Sequence, residues 1–336
     1  MKIEPILETL ELKKISDQEY FSDKYKDYIS NSRLGLINPE QDNDPQAFFE
    51  GIHSKYSDAL IFGSAVHELV LQPDAFFLCE SVNRPTAKAG FMADYLYDIY
   101  KGHIPSKEDI IKASDEINYY KGKMNQQRID DLIDKCKMYW MKRNTFEHNY
   151  KGDKEPIYLD ENSRTRVLSC IEALNNNSDI QDLLHPSGLL EDPISENEQA
   201  ILLDIKVSDD NTDPIILKLK AKLDNYTIDK ESNTVIVNDV KTIGKMVNEF
   251  QNNFNYFRYY RELAIYSWLL SLCVKKFYNL NDFTIKSNCL VVSTIPKYYT
   301  KIFKVTKHDF IKGFNEFKKL LELIVKEMVI NGRKFS

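Results

Sequence analysis

Residues 214–242 read PIILKLKAKLDNYTIDKESNTVIVNDVKT. Two runs with strand-like alternation flank DKESN, whose Asp, Ser and Asn are turn formers. The spacing predicts an antiparallel hairpin with its turn near Glu231 or Ser232. In the first run Leu217, Leu219 and Leu223 take one face, and Lys218, Lys220, Lys222 and Asp224 the other. In the second run Asp239 and Lys241, two positions apart, share a face with Val235 and Val237. Such a turn sets Asp224 opposite Asp239 within about a residue, where paired Cβ atoms lie about 4.5–5.5 Å apart. Two carboxylates that close repel unless a proton or a cation lies between them. A divalent cation answers this, and hard oxygen ligands suit magnesium. A solvated strand face with a surface salt bridge is the plainer reading of the same residues, and Asp-x-Lys alone occurs by chance.

The surrounding elements follow from pattern. EQAILLDIKV (198–207) is a further strand, separated from the hairpin by the turn signal SDDNTD (208–213), so the three runs form a meander. A long amphipathic helix follows over about 247–275, then the strand FTIKSNCLVVST and a C-terminal helix from about 307. Upstream, ISNSRLGLINPEQDNDPQAFFEG reads as a short helix, a loop and a second helix start. SDALIFGSAVHELVL is a helix that stops at Pro73, and 88–148 is mostly helical, with Ser106 and Asp109 in a capping-box arrangement. Another helix covers about 161–183. The expected class is therefore α/β (mixed α+β): a mostly helical N-terminal region, 1–157, ahead of a sheet-bearing core, 158–336.

The totals agree with a globular chain. Its 336 residues, 43% hydrophobic and 29% charged, suffice for one large or two ordinary domains. No apolar run reaches membrane length, and MKIEPILETLELKK carries charges that a signal peptide would not tolerate. A cytoplasmic location with no membrane partner is the expectation. Five scattered cysteines without a CxxC pair argue against a disulfide framework, a structural zinc or an iron–sulfur cluster. His53, His103, His148, His185 and His308 form no spaced zinc pair. There is no P-loop, G-x-G-x-x-G or G-x-S-x-G. A net charge of −6 neither advertises nor excludes nucleic-acid binding.

Asp, a loop, then Asp-x-Lys on the next strand resembles the signature of the PD-(D/E)xK nucleases. FGSAVHELVLQPDAF (62–76) is similar to the G-[ST]-A-x-H-x-x-[VL]-L-x-P stretch of RecE-type (exonuclease VIII-like) phage recombination nucleases. ISNSRL (29–34) and RPTAKAG (84–90) also resemble that family, so the likeness runs from about residue 28 to the end of the core. It implies a restriction-endonuclease-like core with a central mixed sheet flanked by helices. It also implies metal ligation by His67, Asp224, Asp239 and the carbonyl of Val240, with Mg²⁺ as cofactor and Mn²⁺ able to substitute. Glu198 matches an acidic position often found before the first core strand. Lys241 is the implied catalytic lysine, beside Asp224 and Asp239.

Related nucleases carry Gln-x-x-x-Tyr on the following helix, with both side chains on one face. ELAIY (262–266) keeps Tyr266 but has Glu262 in place of the glutamine. A carboxylate repels phosphate, so Glu262 is expected to act on metal through water or to be held by Lys241 or Arg261. Tyr256, Phe257, Tyr259 and Tyr260 read as mostly core, with one or two lining the groove. The row Lys218–Lys220–Lys222 is the candidate for tracking the DNA backbone.

The resemblance further implies a 5′-to-3′ exonuclease on double-stranded DNA in phage recombination. It would leave a 3′ overhang for a single-strand annealing protein and assemble as a homo-oligomeric ring. A structure-specific or endonucleolytic DNase on the same core, and a non-catalytic DNA-binding or assembly protein with this fold, stand beside that reading.

Overall fold

KIEPILETLELKK forms a strand, β1 (Lys2–Lys14), within the region 1–157 expected to be mostly helical. Its Glu and Lys side chains, and Pro5 within it, suit a sheet edge, where charges and a missing N–H block further pairing. The computed structural model describes residues 1–51, 57–117, 119–186, 193–208 and 213–335. The chain divides into two compact units, Met1–His53 with Ala173–Ser336, and Ser54–Glu172. Residues 1–53, expected from sequence to lie with the helical region, thus group with the sheet. His53 and the centre of the SDDNTD turn, 209–212, lie outside the described residues.

In chain order, β1 is followed by α1 (Asp17–Tyr20), a 3₁₀ turn (Asp23–Tyr25), α2 (Asn31–Ile37) and α3 (Pro45–Glu50). The second unit holds α4 (Asp58–Leu71), β2 (Phe76–Leu78), α5 (Ala87–Tyr100), α6 (Lys107–Glu116), α7 (Gln126–Asn149) and β3 (Glu155–Ile157). Ser57 caps α4 through the Leu60 N–H, and the Ser106–Asp109 capping box starts α6. Its core packs Met92, Leu96, Tyr97, Ile110, Leu132 and Trp140. The Trp140 indole donates to the Ala93 carbonyl at 2.8 Å.

The unit boundary falls inside α8 (Glu161–Asn175). Then come α9 (Ser178–Leu184), β4 (Ile194–Ser208), β5 (Ile215–Asp229), β6 (Thr234–Ile243), α10 (Phe250–Tyr256), α11 (Tyr259–Tyr278), β7 (Thr284–Ser293), β8 (Thr300–Lys304) and α12 (Lys307–Ile330). The six-stranded sheet has the order β1-β4-β5-β6-β7-β8. Among the described residues only β6 and β7 are parallel neighbours in it, joined through α10 and α11, so it is the mixed α/β sheet expected from sequence. The single helix expected over 247–275 is broken. After α10, Arg258 adopts a left-handed φ of 59° and a separate helix, α11, begins.

The hairpin turn occupies 230–233, where the Asp229 carboxylate accepts from the N–H groups of Glu231 and Ser232 at 3.0 and 3.2 Å. Pairing between β5 and β6 runs only from Asp229↔Thr234 to Asn225↔Asn238. Beyond that the strands part, and Ile29 bridges the freed edge of β5: its N–H donates to the Lys218 carbonyl at 2.7 Å and its carbonyl accepts from Lys220 at 3.0 Å. Behind the sheet α11 and α12 pack so closely that a Cβ on Gly313 would lie 2.2 Å from the Tyr260 carbonyl oxygen. Among the described residues no helix is long and apolar enough to cross a membrane.

Candidate active site

The parting of β5 and β6 gathers acidic side chains. Asn197 pairs with Asn225 and Gln199 with Leu223, so Glu198 and Asp224 stand opposite each other between them. One step beyond the last β5–β6 pair, the same register sets Asp224 opposite Asp239. Glu198, Asp224 and Asp239 thus form one row across three neighbouring strands, and all three are buried. The backbone at Glu198 is left-handed, φ 58°. That conformation costs an L-residue about 1–2 kcal/mol, and strain of this kind collects at functional sites.

Lys241 completes the group. Its Nζ lies 3.0 Å from Asp239 Oδ1, 2.9 Å from Oδ2 and 3.4 Å from Glu262 Oε2. Glu262 also accepts from the Tyr266 hydroxyl at 3.2 Å, as the i,i+4 spacing allows. The Tyr259 ring covers the ammonium, with its centroid 4.8 Å away. Glu262 is therefore held by Lys241, one of the two partners expected from sequence. The other, Arg261, is buried elsewhere, donating to Asn31, Gln41 and Glu316.

Burial and neighbouring charges together set the proton affinities. Burial pushes the Asp239 carboxyl well above its ordinary range, and Asp224 and Glu262 add to this while Lys241 opposes it. Burial lowers the Lys241 pKa, but Asp239 and Glu262 outweigh it, so it lies above the usual lysine value and the ammonium stays charged. Burial, then Glu262, raises the Tyr266 phenol.

The lysine row of β5 does not face solvent as a rake for phosphates. Lys220 is buried, donates to the Tyr20 carbonyl at 2.8 Å and lies over the Tyr20 ring. Lys222 is ion-paired with Asp17 and with Glu198. Only Lys218 of the three is exposed, and its ammonium lies 5.6 Å from the Tyr28 ring centroid. The cause is the segment from Asp17 to Ile29, which lies along this part of β5. Asp17 and Tyr20 have no signal in local spacing, because a four-residue helix about 200 positions upstream gives no hint of where it docks. Tyr256 and Phe257, read as mostly core, are exposed, whereas Tyr260 is buried and Tyr259 half-buried.

One residue along each strand, and so on the other face of the sheet, runs a second row. Asn225 Nδ2 donates to Asn197 Oδ1 at 2.8 Å, Asn238 Nδ2 to Asn225 Oδ1 at 2.8 Å, and Asn288 Nδ2 to Asn238 Oδ1 at 3.0 Å. Asn238 also reaches the Leu183 carbonyl at 3.1 Å. This ladder fixes the lateral spacing of β4, β5, β6 and β7 directly behind the acidic row.

His67 stands half-buried on α4 of the helical unit, in the turn after Gly63 and Ser64. The sheet unit itself offers a donor set suited to a hard divalent cation. Five carboxylates (Asp17, Glu198, Asp224, Asp239 and Glu262) meet two ammonium groups, Lys222 and Lys241. Asp239 Oδ2 is buried, and its partner among the described residues is the Lys241 ammonium at 2.9 Å. Oxygen donors with excess negative charge are the ligands that Mg²⁺ and Mn²⁺ prefer.

No family model matches the sequence, and no curated protein matches it. Among solved structures, a crystal structure of a protein from Eubacterium rectale described as a "Putative exonuclease" is similar over 93% of this chain and 86% of its own. The identity is 11% and the TM-score 0.44.

Proposed function

We propose that the protein is a metal-dependent DNA nuclease that hydrolyses phosphodiester bonds. The observation that carries this reading is the buried row Glu198–Asp224–Asp239 with the Lys241 ammonium 3.0 Å from Asp239. Glu198, Asp224, Asp239 and the Val240 carbonyl would hold Mg²⁺, with His67 as the further ligand that the sequence resemblance implies. When bound, the ion polarises a phosphoryl oxygen and lowers the pKa of a coordinated water. Lys241, kept charged by its carboxylates, orients the attacking water and neutralises charge that builds on the phosphorane. A protonated ammonium cannot itself take the water's proton, so its work is electrostatic. Glu262 and Tyr259 hold it in place, and Tyr266 holds Glu262.

The polarity of the reaction rests on the resemblance of GSAVHELVL, ISNSRL and RPTAKAG to RecE-type enzymes. That resemblance favours a 5′-to-3′ exonuclease on double-stranded DNA, working in phage recombination as a ring and supplying 3′ overhangs to a single-strand annealing protein. Linear duplex labelled at either 5′ end or 3′ end, compared with closed circular DNA, tests this. Release of 5′ label first, with circles untouched, is the expected outcome. Cutting of circles would point to an endonuclease.

A further inference from the structure

We infer that Tyr256 and Phe257 form a nucleobase-stacking platform beside the acidic site, an inference that rests on the nuclease reading above. Tyr256 is 75% exposed and Phe257 48% exposed, and neither belongs to the core cluster that holds Tyr259 and Tyr260. They occupy the elbow between α10 and α11, where the left-handed Arg258 turns the chain. Their rings meet edge to face, centroids 4.9 Å apart at 89°. Phe257 in turn lies 5.6 Å from the Tyr259 ring, the ring that covers the Lys241 ammonium at 4.8 Å. An unbroken run of aromatic rings therefore leads from solvent to the catalytic lysine.

Cations accompany the elbow. Lys312 Nζ lies 4.0 Å from the Tyr260 ring centroid and 3.4 Å from Asn255 Oδ1 on α10. Arg258 donates to the Tyr260 hydroxyl at 2.6 Å and is itself paired with Glu40 at 2.6 Å, so Lys312 is the cation that the elbow offers to a strand. Exposed π faces among cations hold unpaired nucleic-acid strands, because every base offers a π face whatever its identity. The occupant is thus an unpaired base of the DNA strand whose phosphate reaches Lys241. Two exposed rings that add nothing to the core can be replaced without opening a cavity, so a binding role is separable from folding.

The test uses the full chain, the double variant Tyr256→Ser/Phe257→Ser and the ring-preserving Tyr256→Phe/Phe257→Tyr. The DNA is a duplex with single-stranded tails carrying 2-aminopurine, titrated in EDTA so that nothing is cut, and then assayed with Mg²⁺. The expected result is quenching by wild type that the serine variant loses, with KM for tailed DNA raised about tenfold and kcat within twofold. The ring-preserving variant keeps wild-type values. Quenching and KM both within twofold of wild type in the serine variant would overturn the platform. If wild type cuts no DNA with Mg²⁺ or Mn²⁺, the nuclease reading fails, and the EDTA titration still decides the platform: quenching lost in the serine variant supports it and quenching unchanged overturns it.

Discussion

The backbone N–H of Val240 donates to Asp224 Oδ2 at 2.7 Å, across the gap where β5 and β6 cease to pair. One carboxylate thus does two things: it closes the sheet at its split and belongs to the acidic row. Asp224→Asn separates these roles, since an amide oxygen still accepts from Val240 but carries no charge. The expected outcome is a fold within about 1 kcal/mol of wild type and a nuclease rate lowered about 10²–10³-fold. Denaturant titration and initial rates of DNA cleavage measure the two. A variant that loses stability and keeps its rate would reverse the assignment.

Metal binding follows from the donor set. Calorimetry with Mn²⁺ is expected to show a site that Asp224→Ala abolishes and His67→Ala weakens at least tenfold. Unchanged binding in His67→Ala would remove His67 from the ligands while leaving the carboxylate row in place.

Asn238 is the hub of the ladder behind that row. Asn238→Ala strands the amide groups of Asn225 and Asn288 and the Leu183 carbonyl in buried surroundings. Each unsatisfied group costs about 1–3 kcal/mol, so a loss of several kcal/mol is expected in urea unfolding. A loss under about 1 kcal/mol would mean that the ladder does not hold these strands.

Burial lowers the Lys220 pKa from 10.5 to about 8, with Arg33 adding to the effect. Below pH 8 folded and unfolded chains both carry this proton, and the folded chain bears the full cost of burying the charge. Between about pH 8 and 10.5 the folded state gives up the proton first. The unfolded state then binds more protons, and this group's contribution to stability rises with pH. Lys220→Met removes that slope. Its Tm relative to wild type is expected to be highest below pH 8 and to shrink towards pH 10.5, and a difference constant with pH would contradict this.

The strand geometry around Asp224 and Asp239 is legible in the sequence. The alternation in 214–242 gives the hairpin, its turn and the opposition of Asp224 and Asp239, because strand period and turn chemistry are local. The opposition of Glu198 needed the β4–β5 register, which SDDNTD does not specify. The lysine row misled for a related reason. Alternation shows that Lys220 and Lys222 share a face, but the residues that cover that face, Asp17 to Ile29, come from the far end of the chain. β1 escaped notice since edge-strand charges mimic a solvated helix, and the break at Arg258 because the residues on either side keep helical composition. The asparagine ladder has no one-dimensional signature, as its four members are single residues on four strands.

The most direct test of the central claim is cleavage of linear DNA by wild type and Asp239→Ala, each with and without Mg²⁺. The expected result is cleavage by wild type that EDTA abolishes and that Asp239→Ala lowers at least about 10²-fold in a chain that still folds. Cleavage that survives both EDTA and the substitution, or no cleavage by wild type with either Mg²⁺ or Mn²⁺, would contradict it.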